Sequence, residues 1–269
     1  MLKNAFHYLR IYGRLVELHF RSRLEYETDF WVGIIGMGLQ NAIGFVFVWA
    51  LFSRVSTVAG WSLWEIALLY ALSILPRGLG ELLCDGPWAV RMLVNQGELD
   101  RLLVRPASPI FQVTTYWLAS MHGLGNVALG VAILVRATVK LHLVWSVGHI
   151  LLLLVTLINS VVMVSAISLA TNAIAFWEPA ASGSFPVFVY DFLEFAKFPL
   201  NIYHWLLQTF MTWVLPFAFV SYYPGLLLLD KPGVNAWLGY VTPLAGLLTV
   251  LIAGLVWRVG LARYQGTGS

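Results

Sequence analysis

Long apolar runs divided by short charged stretches organise this chain. Five runs carry no charged residue: Phe30–Phe52, Ile110–Val135, Leu143–Ala170, Leu200–Leu229 and Asn235–Trp257. As helices rising about 1.5 Å per residue, each is long enough to cover the roughly 30 Å of a bilayer's hydrocarbon. Leu63–Leu83 is apolar in outline but holds Glu65, Pro76, Arg77 and Glu81. With it the pattern predicts an all-α integral membrane protein of six spans, over 30–52, 63–83, 110–135, 143–170, about 184–203 and 235–257.

The fifth crossing admits two divisions. FWEPAASGS (176–184) has loop signals, and the stretch after it places Asp191, Glu194 and Lys197 about one helical turn apart. The next stretch is interrupted by Pro216 and Pro224. Either about 184–203 spans and about 204–229 forms a re-entrant helical pair, or the charged piece is interfacial and Trp205–Tyr223 spans. Broken helices at that depth need protein or water around their freed backbone groups.

Residues 2–24 have a different period. At 100° per residue, Lys3, His7, Arg10, Arg14, Glu17 and Arg21 fall on one side, and Leu2, Phe6, Leu9, Tyr12, Val16 and Phe20 on the other. Such a helix suits the headgroup layer of a membrane. Arg23 does not fit this division. Glu25, Glu27 and Asp29 mark the turn into the first span.

Between the second and third spans the pattern changes again. Asp85-Gly86-Pro87 offers a helix start, Trp88–Gln96 a short helix that Gly97 ends, and Glu98–Arg105 a second that stops at Pro106. In the second, Leu99, Leu102 and Leu103 share one side, and Glu98, Asp100, Arg101 and Arg105 take the other. Burying four charges at about 2.5–3.5 kcal/mol each would cost on the order of 10 kcal/mol, so this segment belongs at the membrane surface. The leucines either offer a grip to a cytosolic partner or cover the ends of neighbouring spans.

Composition supports the membrane reading. Of 269 residues, 59% are hydrophobic and 11% charged, against about 25% charged in soluble domains. No secretory leader is expected, because Met1–Asp29 has charges throughout and no apolar core. The tail after Trp257 reads as short and disordered. One cysteine, Cys84, excludes an intrachain disulfide. Placing the N-terminus inside puts Lys3, Arg10, Arg14, Arg21, Arg23, Arg77, Arg91, Arg101, Arg105, Arg258 and Arg263 at or near the cytoplasmic face. Arg54, Arg136, Lys140 and Lys231 then lie outside and Lys197 within a span. That balance obeys the positive-inside rule, with both termini cytoplasmic.

Candidate chemistry is sparse. No Gly-Lys dipeptide occurs, so the chain has no Walker A loop, and neither G-x-S-G nor HExxH is present. No catalytic residue, metal site or nucleic-acid partner is expected. Polar residues within spans are Gln40 and Asn41, His122 and Asn126, and His149 and Asn159. They serve a pathway or interhelical hydrogen bonds. Spacing allows Asp191, Glu194 and Lys197 to pair internally.

The run GELDRLLVRPASPIFQ, with Gly97, Glu98, Leu99, Asp100, Arg101, Leu102, Leu103, Arg105 and Pro106, resembles the cytoplasmic coupling segment of ABC-2 type exporter permeases. The basic N-terminal helix, the FW after the fourth span and the proline-punctuated LP and YP stretch fit the same family. The resemblance implies an elbow helix at 2–24, a coupling segment at 85–106, and re-entrant external helices before the last span. It further implies a dimer around a pathway from the first, second and fifth spans, made with an identical or paralogous chain and surrounded by membrane lipid. A separate dimeric cytosolic ATPase would bind ATP and Mg²⁺ and press on the coupling segment. The location implied is a bacterial inner membrane and the cargo a drug, antibiotic, peptide or lipid-like molecule. A non-transporting membrane scaffold or assembly factor using the same surface is the alternative.

Overall fold

A computed structural model describes residues 2–25, 27–120, 122–178, 183–233 and 235–264. Residues 179–182 of the FWEPAASGS loop and 265–269 of the C-terminal tail lie outside the described residues, as do the side chains of Leu2, Lys3, Phe6, His7, Arg23, Glu27 and Asp29. The helices are α1 (Leu2–Leu24), α2 (Glu27–Phe52), α3 (Leu63–Leu83), α4 (Val90–Asn95), α5 (Leu99–Leu103) and α6 (Pro109–Thr114). They continue with α7 (His122–Lys140), α8 (Val147–Asn172), α9 (Phe185–Asp191), α10 (Trp205–Thr209), α11 (Tyr222–Leu228) and α12 (Thr242–Arg263). Among the described residues five helices are long and apolar enough to cross a membrane: α2, α3, α7, α8 with the turn after it, and α12 with the turn before it.

Local chemistry sets the starts. Ser62 and Glu65 form a capping box on α3: the Ser62 hydroxyl accepts from the Glu65 amide at 3.4 Å, and Glu65 Oε2 accepts from the Ser62 amide at 2.7 Å. At α8 the Ser146 hydroxyl accepts from the His149 amide at 3.2 Å, so His149 belongs to a helix cap and not to mid-span chemistry. At α12, Pro243 occupies the first turn, where a missing N–H costs nothing.

α3 is the centre of the bundle, buried along most of its length. It packs on α7, which also receives α2, while α8 pairs with α12. The expected third span over 110–135 is displaced. Its first part folds as α6 and an irregular stretch around Ala119, which sits at φ +55°, and the long helix starts only at His122. Gln112, Thr114 and Thr115 make that first part polar enough to hydrogen-bond locally, a property that absence of charge does not reveal. The helix then runs on through Arg136 to Lys140, whose long side chains can carry their charges to the surface.

The region 183–229 is not one continuous helix. α9 passes into a 3-10 segment, Phe192–Lys197, and a second, Leu200–Ile202. Near its start Tyr190 meets Trp88, ring centroids 5.3 Å apart. Near its end Asn201 accepts from Trp61 Nε1 at 2.9 Å. The segment therefore runs from the 85–106 end of the bundle to the 53–62 loop end. α10, a π-helical turn Phe210–Val214, the Leu215–Pro216 break, a 3-10 turn Phe217–Phe219 and α11 then form two arms bent by 81°. Lys231, beyond the second arm, donates to Gly60 O at 2.8 Å and Glu65 Oε1 at 2.5 Å. Both ends of the pair are thus tied to the same loop, and the pair returns to the end it left. Carbonyls freed by the irregular winding find donors: Ser221 Oγ gives to Ala196 O, Tyr203 OH to Phe195 O at 3.0 Å, and Ser160 Oγ to Val220 O at 3.3 Å. This satisfies the requirement that non-helical backbone at membrane depth be enclosed by protein.

α1 lies against the other end. Tyr12 OH donates to Leu83 O at 2.9 Å, and Tyr8 OH accepts from the Ser108 amide at 3.3 Å. Burial pushes the Tyr12 hydroxyl up to about 12, so it remains a donor. Arg10, Arg14, Glu17 and Arg21 are exposed. The side turned to the protein is centred on Ile11, Tyr12, Leu15 and Val16, whereas Leu9 and Phe20 face away from it.

Candidate functional site

Six side chains from four elements close a ring inside the bundle. Lys197 Nζ donates to Asn41 Oδ1 at 2.9 Å, Asn41 Nδ2 to Asn126 Oδ1 at 2.7 Å, and Asn126 Nδ2 to Glu81 Oε2 at 2.9 Å. Arg77 Nε reaches Glu81 Oε1 at 3.4 Å, Arg77 Nη1 donates to Glu194 Oε1 at 2.6 Å, and Lys197 Nζ returns to Glu194 Oε2 at 2.5 Å. Each cation also lies against a tyrosine face: Arg77 is 5.0 Å from the Tyr190 centroid and Lys197 5.1 Å from that of Tyr70. Tyr70 OH donates to the Asn41 carbonyl at 2.7 Å.

Two cations and two carboxylates make the ring neutral, and each charge has an opposite neighbour. Ionised groups at this depth are tolerated only with such pairing. The ring joins α2, α3, α7 and the 3-10 segment, so those elements cannot shift against one another without breaking part of it. It is a lock between helices and leaves no unpaired charge for a ligand.

Several sequence expectations change here. Asp191 is exposed and makes no ion pair among the described residues. It ends α9, and the tighter 3-10 winding that stacks Glu194 over Lys197 begins after it. Gln40 lies on the exposed side of α2, away from the ring, and His122 is exposed at the start of α7. Asn159 is buried against Gly246 of α12, where a Cβ would overlap its Oδ1. Arg77 and Glu81 are the partners that the sequence reading missed; their i, i+4 spacing was the available signal. Glu65, without a role on sequence, proves to be the capping-box residue and the partner of Lys231. Ser62-x-x-Glu65 announces the first of these roles.

The surface segment at the opposite end is built in two layers. Gly97, at φ +71°, ends α4 and turns the chain into α5. The expected leucine grip is corrected: Leu99 is 0% and Leu102 4% exposed, and only Leu103 faces out, at 37%. Leu93, Leu99 and Leu102 share one core with Leu169 at the end of α8, Phe176 of the turn after it and Trp257 of α12. A five-residue helix at a bundle end satisfies its apolar side first with the nearest spans. Tyr116 OH donates to Glu98 Oε2 at 3.2 Å, and Gln112 Nε2 donates to the carbonyls of Leu102 and Ala107, both at 2.9 Å. Burial and that bond to Glu98 raise the Tyr116 hydroxyl above its ordinary range. Glu98 is therefore held internally. Arg101, Leu103, Val104 and Arg105 remain as the outer surface, with Val104 85% exposed.

A family model described as ABC-2 family transporter protein matches residues 39–268, which take in the whole ring and the whole surface segment. The chain belongs to the ABC-2 transporter family. No curated protein and no solved structure gives a match. Members of this family are the membrane permeases of ABC transporters, a transport subunit that is not itself catalytic and that generally works with an ATPase subunit. The ring and the 85–106 segment, or ledge, thus lie in the part of the chain that the family model matches.

Proposed function

We propose that this permease is the membrane half of an ATP-driven exporter in a bacterial inner membrane, with both termini and the 85–106 segment in the cytosol. A separate dimeric ATPase, which binds the ATP and Mg²⁺, meets the ledge at Arg101, Leu103, Val104 and Arg105, while a second permease chain completes the pathway. The carrying observation is the common core of Leu93, Leu99 and Leu102 with the ends of α8 and α12. A push on the outer layer passes through close-packed side chains into two spans, because a packed core shifts as a unit and deforms little. The exposed apolar side of α2, interrupted by Gln40 at its middle, fits coverage by the second chain. The apolar lining of the spans suits an amphipathic drug, antibiotic, peptide or lipid-like cargo.

The test is co-purification with a candidate ATPase, one chosen because its sequence carries Walker A and LSGGQ motifs. The double variant Leu103→Asp/Val104→Asp, and separately Arg101→Glu/Arg105→Glu, should each cut recovered ATPase at least tenfold while the permease elutes unchanged on size exclusion. ATPase recovered at wild-type stoichiometry with both variants would remove the ledge from the coupling path. Leu99→Asp does not discriminate: it places a charge in a sealed core and should lower the yield of folded protein whatever binds outside.

A further inference from the structure

Two cavities of opposite character meet beside the bent pair. The lower, about 460 Å³, lies between the tip of the pair and α12, and Val214, Pro216, Leu244, Leu248 and Ile252 give it an almost wholly hydrocarbon wall. Val214, Leu248 and Ile252 are more than half exposed, so it opens sideways at membrane depth. The upper, about 670 Å³, lies at the loop end and has Trp61, Tyr222, Asn201, Gln208, Lys231 and Asn235 in its wall. Thr212, Trp213 and Leu238 line both cavities, so the two adjoin there. Each volume falls within the roughly 300–1,000 Å³ usual for small-molecule sites.

The upper wall also decides what head it would accept. Its one charged side chain among the described residues, Lys231, is already matched by Glu65 at 2.5 Å and held 4.6 Å over the Trp61 ring. A phosphate would have to break that pair. What remains is aromatic surface together with the side-chain Oε1 of Gln208, whose Nε2 donates to Tyr203 O at 2.8 Å, and the side-chain amide of Asn235; neither Oε1 nor that amide makes a hydrogen bond among the described residues. Aromatic faces with nearby amides suit the C–H faces and hydroxyls of a sugar or glycerol group.

We propose that the paired cavities bind one membrane amphiphile, glycolipid-like, with an uncharged hydroxyl-rich head in the upper chamber and a hydrocarbon chain in the lower. The site lies within one protomer, apart from both the charge ring and the ledge. It goes beyond the exporter reading and does not depend on it.

The full-length permease, reconstituted without any ATPase in phosphatidylcholine vesicles, is illuminated with dodecyl glucoside carrying a diazirine at the chain end. Peptide mass spectrometry should place adducts on 212–216 and 244–252. Unlabelled dodecyl glucoside should compete at least tenfold better than dodecyl phosphate. Leu248→Trp, which fills the mouth of the lower cavity, should cut labelling at least fivefold, and Leu151→Trp on the outward side of α8 should leave it unchanged. Size exclusion of each variant verifies folding. Adducts on the outward sides of α2 and α8 as abundant as those on 212–216 and 244–252, labelling indifferent to Leu248→Trp, or equal competition by the phosphate would overturn the proposal. Because no ATPase is present, failure here leaves the ledge experiment standing, and the reverse also holds.

Discussion

Replacing Lys197 with methionine is expected to destabilise the permease by about 3 kcal/mol or more, and adding Glu194→Gln to restore most of that loss. The Lys197 side chain is 8% exposed, and its ammonium serves Glu194 and Asn41 together. Without it the ring holds two carboxylates against one guanidinium, and one of those carboxylates, Glu81, is only 13% exposed. A buried pair that loses one member usually costs 3–5 kcal/mol, whereas replacing both members by uncharged groups is often close to neutral. Glu194 is 46% exposed, so solvent screens part of the effect, which sets the expectation at the lower end. The double variant leaves Arg77 paired with Glu81 and the site neutral. Thermal unfolding followed by tryptophan fluorescence in detergent would show it: the single variant should melt well below the double. If the two losses simply add, the six side chains do not act as a coupled set.

Much of this arrangement was legible before folding. Four of the expected spans coincide largely with long helices and the third, 110–135, only in its second half, since scarcity of charge over about twenty residues is a strong physical signal. Asn41, Asn126, Glu194 and Lys197 stood out as costly at their depth. Their partners did not. Arg77 and Glu81 interrupt an apolar span; their i, i+4 spacing signals the pairing between them, but the further compensation by Asn126 and Glu194 comes from residues distant in sequence, which no local pattern encodes. The ledge shows a different limit. Periodicity identified an apolar side on α5 but could not tell whether that side met a partner or the protein itself, and Leu99 and Leu102 turned inward. In 110–120 the determining feature was side-chain hydrogen bonding by Gln112 and Tyr116 to the neighbouring ledge, which hydropathy does not register. In 183–229 it was Ser160, Tyr203 and Ser221, which supply donors to carbonyls that a regular helix would have used.

Gly123→Val should prevent recovery of folded permease altogether, and Gly123→Ala should lower the yield and the unfolding temperature. At this point α3 and α7 cross with no side chain between them. A Cβ at Gly78 would stand 2.7 Å from the carbonyl oxygen of Gly123, and one at Gly123 would overlap the carbonyl of Gly78 and stand 2.9 Å from Leu82 Cγ. Backbone atoms cannot swing aside as a flexible side chain can, so the helices themselves must separate. Overpacking typically costs 1–3 kcal/mol where neighbours can relax, and here they cannot. Separation has a second consequence, because Asn126 lies one turn beyond Gly123 and bridges Glu81 to Asn41. Moving α7 outward opens the ring and leaves buried polar groups without partners, each at a further cost of about 1–3 kcal/mol. Intrinsic helix propensity points the other way, since valine is a better helix former than glycine, so the sign of the change separates packing from propensity. Gly36→Val, at a glycine with nothing within 4 Å, supplies the matched comparison and should leave the unfolding temperature unchanged or slightly raised. Gly123→Val melting with the wild type would mean that the α3–α7 crossing is looser than its geometry, and that the ring survives without it.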